Sequence, residues 1–263
     1  MSSSSADKAL RLRELHAGPR AFVIANAFDA GSAKLLAQLG FAALATSSGA
    51  AAGVLGRKDG QISRDEALAH AGAIAAATDL PVSADLENGF GDAPEEVAET
   101  IRRAGATGIV GASIEDHSGD KGAPLYPIDV AAARVAAAVQ AARALPFAHF
   151  SITARAENFF RGSPDLADTI ARLKAYEAAG ADVLFAPALP DLDAVRAVCA
   201  AVTAPVNFMV GMKGKSWDLA TLEAAGVRRV SLATSLWRAA MAGVRAAAEE
   251  VRTSGTFGYV DRL

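Results

Sequence analysis

Asp85 and Glu87 stand two residues apart at the end of a short apolar run that follows Pro81, and glycines at 89 and 91 come directly after them. Strand side chains alternate between faces, so a strand through this run sends both carboxylates to one side and Leu86 to the other. Like charges on one face repel. A divalent cation turns that repulsion into attraction, and an all-oxygen donor set suits Mg2+ or Mn2+. Taken alone, the pair can equally be a solvated strand end leading into a glycine turn. Glu115 and Asp116 close a second apolar run; being adjacent, only one of them can enter the same space, and Glu115 is the expected one. Arg155 and Glu157 close a third run, again two apart. A guanidinium fork matches a substrate carboxylate, while a salt bridge from Arg155 to Glu157 or Glu115 is the structural alternative. Asn26 and Asp29, Ser47-Ser48-Gly49 and Asn207 end or occupy other runs. His117 and Lys121 lie on a polar loop after Asp116, where side chains are ordinarily solvated.

Such groups act together only if the chain brings strand ends to one place. Apolar runs at 22–27, 42–46, 81–85, 108–114, 150–157, 183–187, 206–210 and 229–233 read as strands. Helical spacing and caps place helices over 31–40, 63–77, 94–104, 130–144, 163–180, 191–202, 218–225 and 235–253. Ser63 and Glu66 form a capping box, and Pro94 suits a first turn. A loop through Gly53, Gly56 and Gly60 is expected before the helix at 63. Alternating units of this kind, with no composition break, specify an α/β protein: one (β/α)8 barrel over 1–263, with its chemistry after the carboxyl ends of the strands.

The composition excludes several other functions. An apolar fraction of 52% supplies a core that a disordered chain lacks. Lys and Arg number 26 against 29 Asp and Glu, a formal charge of -3 with no basic block, so nucleic acid is not expected as a partner. No uncharged apolar stretch approaches the roughly 18 residues that span a membrane. The start lacks a cationic segment followed by an apolar run, so a cytoplasmic protein is expected, with residues 1–18 partly disordered. The one cysteine, Cys199, falls in an apolar helical pattern with Val195, Val198 and Val202, as a buried inert thiol does.

Thr46-Ser47-Ser48-Gly49, the stretch 55–60 ending Asp59-Gly60, Ser83 to Gly91, Ile114-Glu115-Asp116 and Thr153 to Glu157 together resemble the isocitrate lyase/phosphoenolpyruvate mutase superfamily over residues 20–250. The resemblance implies a barrel whose last helix is exchanged between subunits, in a homotetramer. It implies Mg2+, with Mn2+ as a substitute, held mainly by Asp85 through waters, with Glu87 and Glu115 around it. Amides of Ser47, Ser48 and Gly49 would hold the carboxylate of a 2-oxo acid, Arg155 would contact its oxygens, Asp59 would lie near the reacting groups and Asn207 would reach the far end. The implied activity is cleavage of a carbon–carbon bond, by decarboxylation or a retro-Claisen or retro-aldol route, in a small 2-oxo acid or related dicarboxylate through a metal-stabilised enolate.

Departures from the family pattern narrow this. Isocitrate and methylisocitrate lyases carry a lysine-cysteine-glycine-histidine loop, whereas this chain has His117-Ser118-Gly119-Asp120-Lys121-Gly122. Phe208, Met209 and Val210 follow Asn207 where those lyases have serines. Mutases and phosphonopyruvate hydrolases place a lysine and an asparagine on the gating loop, and Lys121 alone can stand in. Phosphorus–carbon chemistry, with Asp59 assisting transfer and Lys121 neutralising the phosphoryl group, is the second expectation. A barrel that binds a 2-oxo acid without catalysis is the third.

Overall fold

The short apolar runs pair edge to edge in the computed structural model, which describes residues 3–262. Its strands are β1 (Phe22–Asn26), β2 (Ala43–Ala45), β3 (Val82–Asp85), β4 (Gly111–Glu115), β5 (Ser151–Arg155), β6 (Val183–Phe185), β7 (Val206–Met209) and β8 (Arg229–Ser231). All are parallel and pair in chain order, and β8 closes on β1 through Phe22 with Arg229 and Ile24 with Ser231. The helices are α1 (Ser5–Ala17), α2 (Ala30–Gln38), α3 (Ser48–Val54), α4 (Arg64–Ala76), α5 (Pro94–Gly105), α6 (Ile128–Arg143), α7 (Leu166–Ala178), α8 (Leu192–Ala201), α9 (Leu219–Ala224) and α10 (Ser235–Ser254). The expected capping box opens α4, with Ser63 and Glu66 exchanging side-chain bonds to each other's amides. The closed (β/α)8 barrel is the expected one. No described helix is long and apolar enough to cross a membrane.

Two segments differ from the sequence reading. Residues 1–18, expected to be partly disordered, contain α1, because Ser4 and Asp7 build a capping box and the helix has something to bury. Ala9 and Leu12 are fully enclosed beside Ile24, Ala43 and Val110 at the lower end of the barrel. Gly111 makes the room, since a Cβ there would come 3.3 Å from Leu12 Cδ2 and 3.0 Å from the Ser151 carbonyl. The second difference is α3, where a glycine loop is expected. Ser47 caps it, its Oγ accepting from Ala50 N, and Ala50, Ala51 and Ala52 are buried.

Outward-facing strand residues such as Ala84, Ile114, Ile152 and Leu184 pack under the helices. The barrel interior is polar, holding Ser83, Ser113, Thr153, Asn207 and Arg229 where branched apolar side chains usually stack. Arg229 is buried and donates to Asn207 Oδ1 at 2.8 Å and Thr153 Oγ1 at 3.0 Å, with Nη1 3.3 Å from His16 Nε2. Among the described residues no carboxylate pairs with this cation, and burial pushes its guanidinium down to about 9. It floors the space into which the strand ends deliver their charges.

Candidate active site

Asp85 is the last residue of β3, and its backbone amide is fixed by Thr46 Oγ1 at 2.9 Å. One carboxylate oxygen accepts from both the amide and the hydroxyl of Ser48 at 3.1 Å. The other accepts from Arg155 Nη1 at 3.1 Å and Ser113 Oγ at 3.3 Å. Register explains the convergence: Asp85 pairs with Ser113 on β4, and Glu115 at the end of β4 pairs with Arg155 on β5. Glu115 meets Arg155 Nη2 at 3.1 Å and Arg161 Nη2 at 2.9 Å.

Arg155 is aimed from behind. Glu157, with no solvent exposure, accepts from its Nε at 3.0 Å and its Nη2 at 2.7 Å, and holds Arg161 Nε at 3.0 Å with its other oxygen. The guanidinium lies 5.1 Å from the Phe185 ring centre. Despite burial, Glu157, Glu115 and Asp85 hold Arg155 well above its ordinary range, so it stays charged. The salt bridges anticipated as its structural alternative are present, and they leave the fork inside the cavity. Asp116 faces outward as adjacency to Glu115 requires, accepting from Tyr176 at 2.5 Å, Arg172 Nη1 at 3.0 Å and the Glu157 amide at 2.9 Å.

Glu87 reaches the cavity by a route other than strand alternation. β3 ends at Asp85, and Glu87 sits at φ 50°, a conformation that side chains other than glycine rarely hold without a functional reason. The buried Arg134 of α6 clamps this loop by donating to the carbonyls of Asn88, Gly91 and Asp92. Glu87 Oε1 is buried without a hydrogen-bond partner. Burial first, then Asp85 and Asp59, push its carboxyl up to about 7. Burial likewise raises Glu115, against the pull of Arg155.

The remaining expected residues divide. Asp59 lies over Gly49: a Cβ on that glycine would come 3.4 Å from the Asp59 carboxyl carbon and 2.9 Å from Thr234 Cγ2. Ser47, Ser48, Asp59 and Asn207 all line a cavity of about 610 Å3 at the mouth, with Asp85, Glu87, Glu115 and Arg155. The Ser48 amide, expected on a substrate carboxylate, is taken by Asp85. Asn207 is low on the wall, donating to Ser231 Oγ at 3.0 Å. Lys121 is not brought in; it is exposed, and its loop reaches the cavity through His117 and Gly119 instead. Arg161, Ser113, Thr46 and Arg229 were not legible as site residues. Arg229 alone left a signal, a charge opening an otherwise apolar strand.

The acidic donors fit a hard cation. Among the described residues no three His, Cys, Asp or Glu side chains already close on one point, because Arg155 stands between Asp85 and Glu115. The unpartnered buried oxygen of Glu87 nevertheless requires a positive or donating group, and a cation keeping most of its own water supplies both.

Comparison with known proteins identifies the family of the chain. Residues 12–252 match the family described as phosphoenolpyruvate phosphomutase. The chain is similar to a 2-methylisocitrate lyase of Shewanella oneidensis, 35% identical over 205 residues that cover 75% of this chain and 68% of that one. It is also similar to an oxaloacetate decarboxylase of Chromohalobacter salexigens, 32% identical over 225 residues covering 83% and 76%. A solved structure of a candidate lyase/mutase from Burkholderia cenocepacia J2315 superposes with a TM-score of 0.96 at 52% identity, over 98% of this chain and 92% of that one.

Proposed function

The chain belongs to the phosphoenolpyruvate phosphomutase family, whose members include lyases and mutases, and from that premise we propose a divalent-metal-dependent carbon–carbon lyase. Its substrate is a small 2-oxo acid or related dicarboxylate, with oxaloacetate the simplest. The observation that carries this reading is Arg155: buried, charged, aimed by Glu157, and open to the cavity beside Asp85 and Glu115.

In this reading Arg155 meets the oxygens of the 2-oxo acid with the Nη1 edge that its acidic partners leave facing the cavity, and the backbone amides of Ser47 and Gly49 receive the carboxylate, the Ser48 amide being held by Asp85. Mg2+ or Mn2+, held by Asp85 with Glu87 and Glu115 around it, supplies Lewis acidity at the 2-oxo carbonyl when bound. Asn207 faces the far end, with the Arg229 cation beneath it. Loss of CO2 from a 3-carboxylate leaves the electron pair on the 2-oxo fragment and asks for no acid at the leaving group, which suits a loop without cysteine. Asp59, which lines the cavity over Gly49, is the proton-handling candidate.

The family description and Asp59 support a second reading, phosphonomutase or phosphonopyruvate hydrolase chemistry, but its phosphoryl-neutralising Lys121 points to solvent. Pyruvate release from oxaloacetate, measured above the enzyme-free Mg2+ blank with and without EDTA, is expected to be enzyme- and metal-dependent. Inorganic phosphate from phosphonopyruvate without pyruvate from oxaloacetate selects the second reading. No turnover of either, with a metal-dependent rise in melting temperature on adding a 2-oxo acid, selects a binding protein.

A further inference from the structure

We infer that the opposite end of the barrel carries a second binding site, for the phosphoryl group of a small organic phosphate. A cleft of about 720 Å3 opens there between the end of α1, the last turn of α6 and the loops that lead into β5, β7 and β8. Arg13, Arg143, His149 and Arg228 line it with a single carboxylate, Asp182, and Val202 and Val206 add apolar surface. Helix carboxyl ends gather at this face and favour cations, which accounts for part of the basic wall. Arg143 is also satisfied locally, donating to the Phe150 carbonyl at 3.0 Å and pairing with Asp182 at 2.6 Å.

Two groups are left over. Ser151, only 6% exposed, lines the cleft, and its Oγ is buried without any hydrogen-bond partner. A buried hydroxyl in that state is destabilising and uncommon, and a ligand oxygen reaching it removes the penalty. The half-buried Arg228 makes no hydrogen bond with the described residues and has only a longer-range attraction to Glu223, and Arg13 is exposed, its Nη1 lying 3.1 Å from both ring nitrogens of His149. An anion entering towards Ser151 meets these arginines. A phosphate monoester offers several acceptor oxygens to guanidinium forks and a hydroxyl, and the cleft has space beyond a phosphoryl group for the organic part, against the valines.

Calorimetric titration in EDTA, using inorganic phosphate and phenyl phosphate as probes, tests the site without metal at the mouth. Both are expected to bind the wild type, phenyl phosphate more tightly. Replacing Arg13 and Arg228 together by Ala is expected to weaken each by at least about tenfold, the scale of one charge-assisted hydrogen bond. Ser151→Ala, which removes only an unpartnered hydroxyl, is expected to weaken both while leaving the melting temperature of the anion-free protein unlowered; it carries the test if the double variant does not fold. Arg161→Ala, at the other end of the barrel, is expected to leave both affinities unchanged. Absence of binding to the wild type overturns the inference. So does binding that survives the Arg228 and Ser151 changes but disappears in Arg161→Ala, because the anion is then in the mouth.

Discussion

Arg155 is held by acids on several sides, so its value to the site lies in fork geometry as much as in charge. A lysine keeps the charge and loses the second donor, and Arg155→Lys is expected to raise KM by about tenfold or more, the scale of a lost charge-assisted hydrogen bond. Steady-state kinetics with unchanged KM and kcat contradict a substrate role. Asp85→Ala removes the acceptor for Ser48, Ser113 and Arg155 together, and is expected to abolish metal-dependent turnover while circular dichroism still reports a folded barrel. Wild-type turnover in that variant contradicts the assignment. Asp85, Glu115 and Arg155 were legible because each ends an apolar run, and barrel strands deliver their carboxyl ends to one rim. Glu87 reaches the cavity by a route the alternation of strand side chains does not describe: a left-handed turn carries it in. Arg161 was hidden because its role depends on how the turn after β5 folds back onto Glu157, which no local periodicity records.

At the scale of elements, α1 seals the lower end of the barrel through His16. Its Nδ1 lies 2.8 Å from the Leu12 carbonyl and its Nε2 faces Arg229, an arrangement that needs the neutral ring. Burial first, then the Arg229 cation, push His16 down to about 3 from 6.5. The folded value lies below the unfolded one, so this stabilisation is complete above about pH 6.5 and is lost as pH falls towards 3. His16→Gln keeps an acceptor for Arg229 but does not titrate. Its denaturant-derived stability is expected to fall less steeply than the wild type's between those limits, and an identical slope removes His16 as the cause. Gly111→Ala forces a methyl against Leu12 and the Ser151 carbonyl, for an expected loss of about 1–3 kcal/mol by chemical denaturation. Stability equal to wild type contradicts the tight packing of α1. Both helices that the sequence reading missed are short of local signal. α1 is polar apart from a narrow stripe, and the glycines in α3 serve close approach rather than a turn, since a Cβ on Gly53 would come 2.5 Å from Trp237.

The whole molecule leaves α10 without a buried residue, and Met241, Val244 and Val251 face outward along it. A helix of that length with an uncovered apolar face gains by packing on another copy, and the family resemblance implies exchange of this helix in a tetramer. Sedimentation is expected to show an assembly larger than the 26.8 kDa chain, with Val244→Glu shifting it to smaller species; a wild type that stays monomeric at micromolar concentration contradicts this. Barrel closure was legible from the alternation of units, whereas the polar interior around Arg229 depends on contacts between residues far apart in the chain. In the proposed reaction this polar mouth holds a divalent cation together with a 2-oxo acid. Calorimetric titration of Mg2+ in the presence of oxalate, a planar stand-in for such an acid, tests it most directly. One cation per chain in the wild type, and none in Asp85→Ala, is the predicted result; no uptake by the wild type contradicts the account.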